Sequence, residues 1–201
     1  MKGKAALTTD FIVETVAPIF NKNGYYGTSL SHLTKATGLT KGAIYGNFKN
    51  KEDIAFAAFE FNVDVVVEKI KADLADITDG VGQLYALFNF YRKYRMHTIA
   101  IGGCPIINIG VDANHQNDNL LHKVQEVIER LQYYIQKMIV LGQDQGTIKS
   151  DINAVTYAKR IFASIEGAMF MTATMNDESY INDMMDHIDN LVKTELEINS
   201  H

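Results

Sequence analysis

Thr40, Lys41, Gly42, Tyr45 and Asn47 gather two hydroxyls, an ammonium, an amide and a gap in side-chain cover within residues 40–47. Groups of these types donate hydrogen bonds and positive charge to phosphate oxygens and base edges. At helical spacing they share a face opposite Ile44 and Phe48, which are four apart and turn inward. An element must carry that face, and a second must hold it. Leu30 and Leu33, three apart, mark the apolar side of an earlier short helix. Gly38 stands where the chain must turn sharply, and glycine accepts the positive φ that such turns need. Leu39 closes the joint from the apolar side. Two short helices around a tight turn, the second from about Thr40 through Phe48, describe a helix-turn-helix, whose second helix enters the DNA major groove.

Charge agrees with that reading. Residues 1–51 hold seven lysines (positions 2, 4, 22, 35, 41, 49 and 51) against Asp10 and Glu14, a net of +5. The formal charge of the whole chain is −5, so the remainder carries −10. A basic cap on an acidic body draws phosphate to one end and repels it from the other. The alternative is an ordinary solvated lysine face.

At 201 residues and 47% hydrophobic composition, the chain has material for a sizeable core, in one domain or two small ones. Only two prolines favour long helices over a loop-rich β fold. A single cysteine rules out an internal disulfide framework and fits a reducing cytosol. The amino-terminal MKGKAALTTD has no apolar core of a signal peptide, and no apolar run reaches membrane-span length. A cytoplasmic location without membrane contact is expected.

The sequence predicts helices throughout and no strand. The first starts at Thr9 or Asp10, carries Phe11, Ile12, Val16, Ile19 and Phe20, meets an irregularity at Pro18 and ends at Gly24. After the helix-turn-helix, Asn50 caps a long fourth helix from Lys51 to about Asp76. A fifth spans about Val81–Ile99, with Gly102-Gly103 as its stop. Cys104-Pro105 opens a short segment to about Asp112, and Asn114–Asn119 is a loop. A helix follows from about Leu120 to Leu141, with Gly142–Ser150 as a turn. Asp151 then caps a helix to about Met175 that is apolar nearly all round. The last, about Glu178–Glu197, is amphipathic.

This layout resembles the tetracycline-repressor (TetR) family of bacterial transcription regulators. The pieces that carry the resemblance are Phe20, Gly24-Tyr25, Thr28-Ser29-Leu30, Leu33, Gly38-Leu39-Thr40, Gly42, Ile44-Tyr45, Phe48 and Lys51-Glu52. Gly103-Cys104-Pro105, Gly142, Gly146 and Glu166-Gly167 also look like one branch of it. Thr34 departs from the small alanine usual at the helix crossing, and Asn47 from the histidine often found before the phenylalanine. The resemblance implies an all-α fold of about nine helices. A three-helix DNA-binding domain would occupy residues 1–50, and a larger ligand-binding and dimerisation domain residues 51–201. It implies a homodimeric repressor that binds a pseudo-palindromic double-stranded operator and is released by a small-molecule effector. By analogy Thr28, Thr40, Tyr45 and Lys51 hold phosphates, while Lys41, Gly42 and Asn47 face bases or the groove wall.

Such a protein needs a cavity in its helical body. Candidate lining residues, facing inward, are Phe61, Phe88, Tyr91 and Met96, followed by Ile107, Tyr133, Phe162 and Met169. Arg95, His97, Asn108 and His122, with Tyr91, are candidate orienting groups. Each of the apolar ones also suits an ordinary core. The last two helices carry more apolar surface than one small body easily covers. Ile161 and Ile165, with Ile181, Met184, Met185, Ile188, Leu191 and Val192, would form a four-helix bundle with a second copy, unless their stripes close within one subunit. Asp112, His115 and His122 have spacings that a metal could use, but solvated loop histidines are the better reading, and no metal or cofactor is expected. Cys104 reads as a structural thiol, since no basic neighbour lowers its pKa. Glu166, in an apolar helix, reads as a packing or interface residue. No phosphate loop, nucleophile elbow or metalloprotease helix is present, so no enzyme is expected. Two alternatives stand beside the regulator: a DNA-binding helical dimer without an effector, and a helical ligand-binding protein.

Overall fold

Along α1 (Lys4–Gly27), Ile12, Val16, Ala17 and Phe20 recur on one stripe, and all four are buried. Phe11, one residue off the stripe, is exposed. The helix begins before the expected Thr9, because Ala6 and Leu7 are themselves strong helix formers. It also runs through Pro18, breaking instead at Gly24, whose φ of 74° and ψ of 175° are not helical. The computed structural model describes residues 4–198. These divide into two compact units, one made of the residues up to Glu68 with Arg95–Glu126, the other of Lys69–Tyr94 with Val127 onward. Ten α-helices and no strand occur among the described residues.

In the first unit, Ser29 caps α2 (Leu30–Thr37) in a reciprocal box with His32: its hydroxyl accepts from the His32 N–H, and its own N–H donates to His32 Nδ1 at 3.2 Å. Gly38 ends α2 in the left-handed region, φ 69°, with open space where a Cβ would stand, so backbone conformation alone calls for glycine there. Thr40 caps α3, which is shorter than expected and spans Lys41–Tyr45. Beyond it Gly46 and Asn47 complete only a tight turn back to Gly42 and Ile44. The Asn50 side chain caps α4 (Lys51–Leu74), accepting from the Asp53 N–H at 2.8 Å. Leu33, Ile44, Ile54, Ala55 and Ala58 join the α1 stripe in one core, with Tyr25, Leu30, Leu39, Tyr45, Phe48 and Phe61 packed at its edge. The Thr34 hydroxyl donates to Ser31 O on its own helix at 3.2 Å.

From Arg95 onward the same unit contains α6 (Tyr94–Thr98), a single 3₁₀ turn at Ile99–Ile101, α7 (Pro105–Ala113) and the start of α8 (Asp118–Asp144). The expected Val81–Ile99 helix is therefore two pieces, since α5 (Gly80–Arg92) stops at Lys93. Gly102 and Gly103 both have positive φ; Gly102 lies against Pro18 and Lys22 of α1, and Gly103 against the Asn108 amide. The buried Asn21 amide holds that turn, donating to Ile101 O at 2.7 Å and to Gly103 O at 2.9 Å.

In the second unit, Gly142 is a packing residue inside α8 rather than the start of a turn. A Cβ there would strike Ile148, and one on Gly80 would strike the α8 backbone at Met138 and Gly142. Asn153, in place of Asp151, caps α9 (Ala154–Met175), which packs on α10 (Ser179–Leu191); α10 in turn packs on α5. A π turn, Val192–Leu196, follows α10. Arg92 ties α5 to α10 through Asp186 and Asp189, each at 2.6 Å.

That packing covers most of the expected dimer face within one chain. Ile161, Ile165, Ile181, Met185, Ile188 and Val192 are all at most 4% exposed within one chain, and Met184 and Leu191 are half-buried. The α9 and α10 stripes thus close on each other and on α5, leaving little of them for a second copy. What α9 leaves open is its outer side: Val155, Ala163, Gly167, Phe170 and Met175 are exposed.

Phe20→Ala should cost about 3–5 kcal/mol, since its ring fills the centre of the first unit's core. Chemical denaturation followed by circular dichroism measures that loss.

Candidate nucleic-acid interface

A five-residue helix cannot hold itself in water, so α3 is held by its surroundings. Its N-terminus is closed by the Thr40 hydroxyl, which accepts from the Ala43 N–H at 3.2 Å. Its inner side is anchored by Ile44, which is fully buried, and by half-buried Tyr45. Its end is tied by Asn47, whose amide donates to Ala43 O at 2.9 Å and accepts from the Thr9 hydroxyl at 3.1 Å. What remains outward is Thr40, Lys41, Gly42 and Ala43, all exposed. A Cβ on Gly42 would meet no more than Thr40 Oγ1 at 4.0 Å. Lys41 reaches over the Tyr45 ring, 5.9 Å from its centroid. The result is one long cation beside small residues, a surface that another backbone can approach closely.

Several expected contact residues are placed otherwise. Thr28 is fully buried, and its hydroxyl donates to Gly24 O at 2.7 Å, so no phosphate meets it in this arrangement. Lys51 donates to Tyr25 O at 2.5 Å and lies 4.3 Å over the Tyr25 ring. Desolvation lowers the pKa of its ammonium, with the negative charge of Asp112 acting in the opposite direction. One of its N–H groups is thereby committed inside the protein, and two are left. Asn47 uses its amide oxygen and one of its two amide N–H groups to brace α1 and α3, which leaves one N–H. On the other hand Ser31, His32, Lys35, Ala43 and Lys49 are exposed on and beside the helix-turn-helix and were not singled out. Lys35 and Lys49 were visible as charge, but only the folded chain shows which lysines stand clear.

The pocket candidates fall in both units. In the first, Met96 is 76% exposed, Arg95 and His122 are exposed, and Phe61, His97 and Ile107 are half-buried. Asn108, proposed as an orienting group, donates to Gly102 O at 3.0 Å and steadies the glycine turn. In the second, Phe88, Tyr91, Phe162 and Met169 are buried, whereas Tyr133 is 51% exposed. Met96 and Tyr133 therefore do not face inward within their own units. Asp112, paired by spacing with His115, instead accepts from the Tyr25 N–H at 2.7 Å. Glu166 is half-buried on α9. No helix among the described residues is long and apolar enough to cross a membrane.

An exposed, capped α3 behind a glycine turn, on a basic amino-terminal part, defines a helix-turn-helix DNA-binding protein. Residues 3–58 match the profile of "Bacterial regulatory proteins, tetR family", and residues 80–188 that of "Tetracyclin repressor-like, C-terminal domain". A TetR-family transcriptional regulator from Cytophaga hutchinsonii shares 30% of its sequence, with a TM-score of 0.93 and 100% of both chains covered. The fatty acid metabolism regulator protein of Bacillus subtilis (strain 168) is 24% identical over 171 residues, 84% of each chain. The transcriptional repressor DhaR of Mycobacterium sp. (strain GP1) is 26% identical over 158 residues, 79% of this chain and 78% of that one. The chain belongs to the TetR family of transcription regulators.

Lys41→Ala should weaken operator binding by about 1–3 kcal/mol and reduce the salt slope of log affinity by about 1. Thr28→Val should leave that slope unchanged while lowering stability. Fluorescence-anisotropy titrations at several salt concentrations separate the two.

Proposed function

We propose that the chain acts as a homodimeric repressor. Its two α3 helices enter successive major-groove segments of a pseudo-palindromic operator, and a small molecule bound in the helical body releases the DNA. The observation that carries the reading is the outward face of Thr40, Lys41, Gly42 and Ala43 on a part of the chain with net charge +5. Phosphate binding draws on the lysines and on the Thr40 hydroxyl, which accepts from Ala43 and still has a proton to donate. The close approach of Gly42 and Ala43 lets Lys41 reach base edges, where an ammonium pairs with guanine acceptors. A repressor among the similar proteins, DhaR, supports the sign of the regulation.

Release by an effector is a shift between two arrangements of the reading heads, and it requires a ligand that binds one arrangement more tightly. The reading contains no catalytic step and places the protein in the cytoplasm with its operator.

The second copy meets this one through the outer side of α9. There Ala163 and Gly167 permit close helix approach, and Phe170 supplies an exposed ring. The space over Gly167 is open to 4 Å, so a large side chain is accommodated in one chain alone. Replacing a mid-helix glycine also favours the helix by up to about 1 kcal/mol. Gly167→Arg should therefore fold normally, sediment as a monomer and lose operator binding, because two half-sites one helical turn apart require two linked heads. A variant that remains dimeric in analytical ultracentrifugation would exclude this face. If the unmodified chain selects no DNA fragment from a genomic pool at low salt, the regulator reading fails as a whole.

A further inference from the structure

The helix-turn-helix is gripped by a segment that lies well outside it in sequence. At Gly24 the backbone leaves the helical region, so the N–H and C=O of Tyr25 lie at a break in α1. Both find charged partners. The N–H donates to Asp112 Oδ2, 87 residues downstream on α7, at 2.7 Å. The C=O accepts from Lys51 Nζ at the start of α4, at 2.5 Å. Gly24 makes room for the carboxylate, since a Cβ there would stand 2.5 Å from Asp112 Oδ1 and 2.7 Å from its Cγ. A second set of bonds lies alongside. The Tyr26 hydroxyl donates to Gln116 O at 2.5 Å, and the Asn117 amide donates to Glu52 Oε1 at 3.0 Å.

We propose that Asp112 is a positioning residue for operator recognition. By holding Tyr25 at the break it sets the direction in which α1 hands the chain to α2 and α3, and so the angle at which the reading helix is presented. The inference rests on the dimeric reading above, because an angle matters most where two heads must meet two half-sites at once. The α1–α4 core formed by Ile12, Phe20, Leu33, Ile44 and Ala58 contains no residue of α7, so the head can stay packed while its presentation loosens. A bond to a charged acceptor is stronger than a neutral one and is directional, which suits a part that fixes an angle. Of the nearby carboxylates, Glu52 is occupied with Asn117, and Asp112 alone is bonded to the Tyr25 N–H.

The test uses the full-length protein and an operator selected by the unmodified chain, with the half-site spacing changed by one base pair in either direction. The unmodified chain should prefer the selected spacing by about tenfold or more, because each base pair rotates one half-site away from the other. Asp112→Ala should narrow that preference to about threefold or less, while Asp112→Asn, which keeps an oxygen to accept from Tyr25, should restore most of it. Lys41→Ala should weaken binding at every spacing and leave the preference intact, which is how a lost contact differs from a lost angle. Should Asp112→Ala not fold, Asp112→Leu, which fills the space of the carboxylate without offering an acceptor to Tyr25, should narrow the preference in the same way. A preference that survives in the folded variants overturns the role of Asp112 and leaves the repressor reading standing. An unmodified chain with no spacing preference overturns both.

Discussion

A break in a helix creates a debt of hydrogen bonds, and the first unit is arranged around one such break. Gly24 takes α1 out of the helical region, and the polar groups of Tyr25 must then be met by something other than a helix ladder. Asp112 meets the N–H and Lys51 meets the C=O. Only a residue without a Cβ permits this, because the carboxylate occupies the place where the Cβ would be. The ammonium of Lys51 is desolvated as a result, with its pKa lowered and the charge of Asp112 in partial compensation. A lysine whose charge suits DNA thus also serves as a joint between α1 and α4.

The reading helix is an instance of structure borrowed from neighbours. Five residues lie far below the length at which helix propensity sustains itself. Thr40 at one end, Asn47 with Thr9 at the other, and Ile44 beneath supply what propensity cannot. The outward face is sparse, with Lys41 as its one long side chain beside Gly42 and Ala43. A sparse face favours close approach of the backbone to the groove wall, and the basic charge of the head supplies the attraction that is independent of sequence.

The second unit distributes its apolar surface differently from what stripes alone imply. Periodicity shows that α9 and α10 each have a face to bury, but it does not say against what. Here they bury it against each other and α5, and Arg92 locks α5 to α10 through two aspartates. Gly142 shows the same ambiguity. A glycine punctuates a sequence whether it ends a helix or makes room for a neighbouring side chain, and in α8 Gly142 does the latter, for Ile148 just beyond the helix.

Local signals alone determined the all-helical fold and the place of the DNA-reading element. The pair Leu30 and Leu33, the turn at Gly38, the caps at Thr40 and Asn50 and the block of lysines act over a few residues, and short-range spacing records them directly. Tertiary structure decided which of those residues remain available. It buried Thr28, committed Lys51 and Asn47 to internal bonds, closed the apolar stripes within one chain and brought Asp112 to Tyr25. The physical reason is that a side chain's partners depend on distances in space between segments far apart in sequence. A hydroxyl or an ammonium has the same composition whether it faces DNA or a carbonyl four residues, or many more, away.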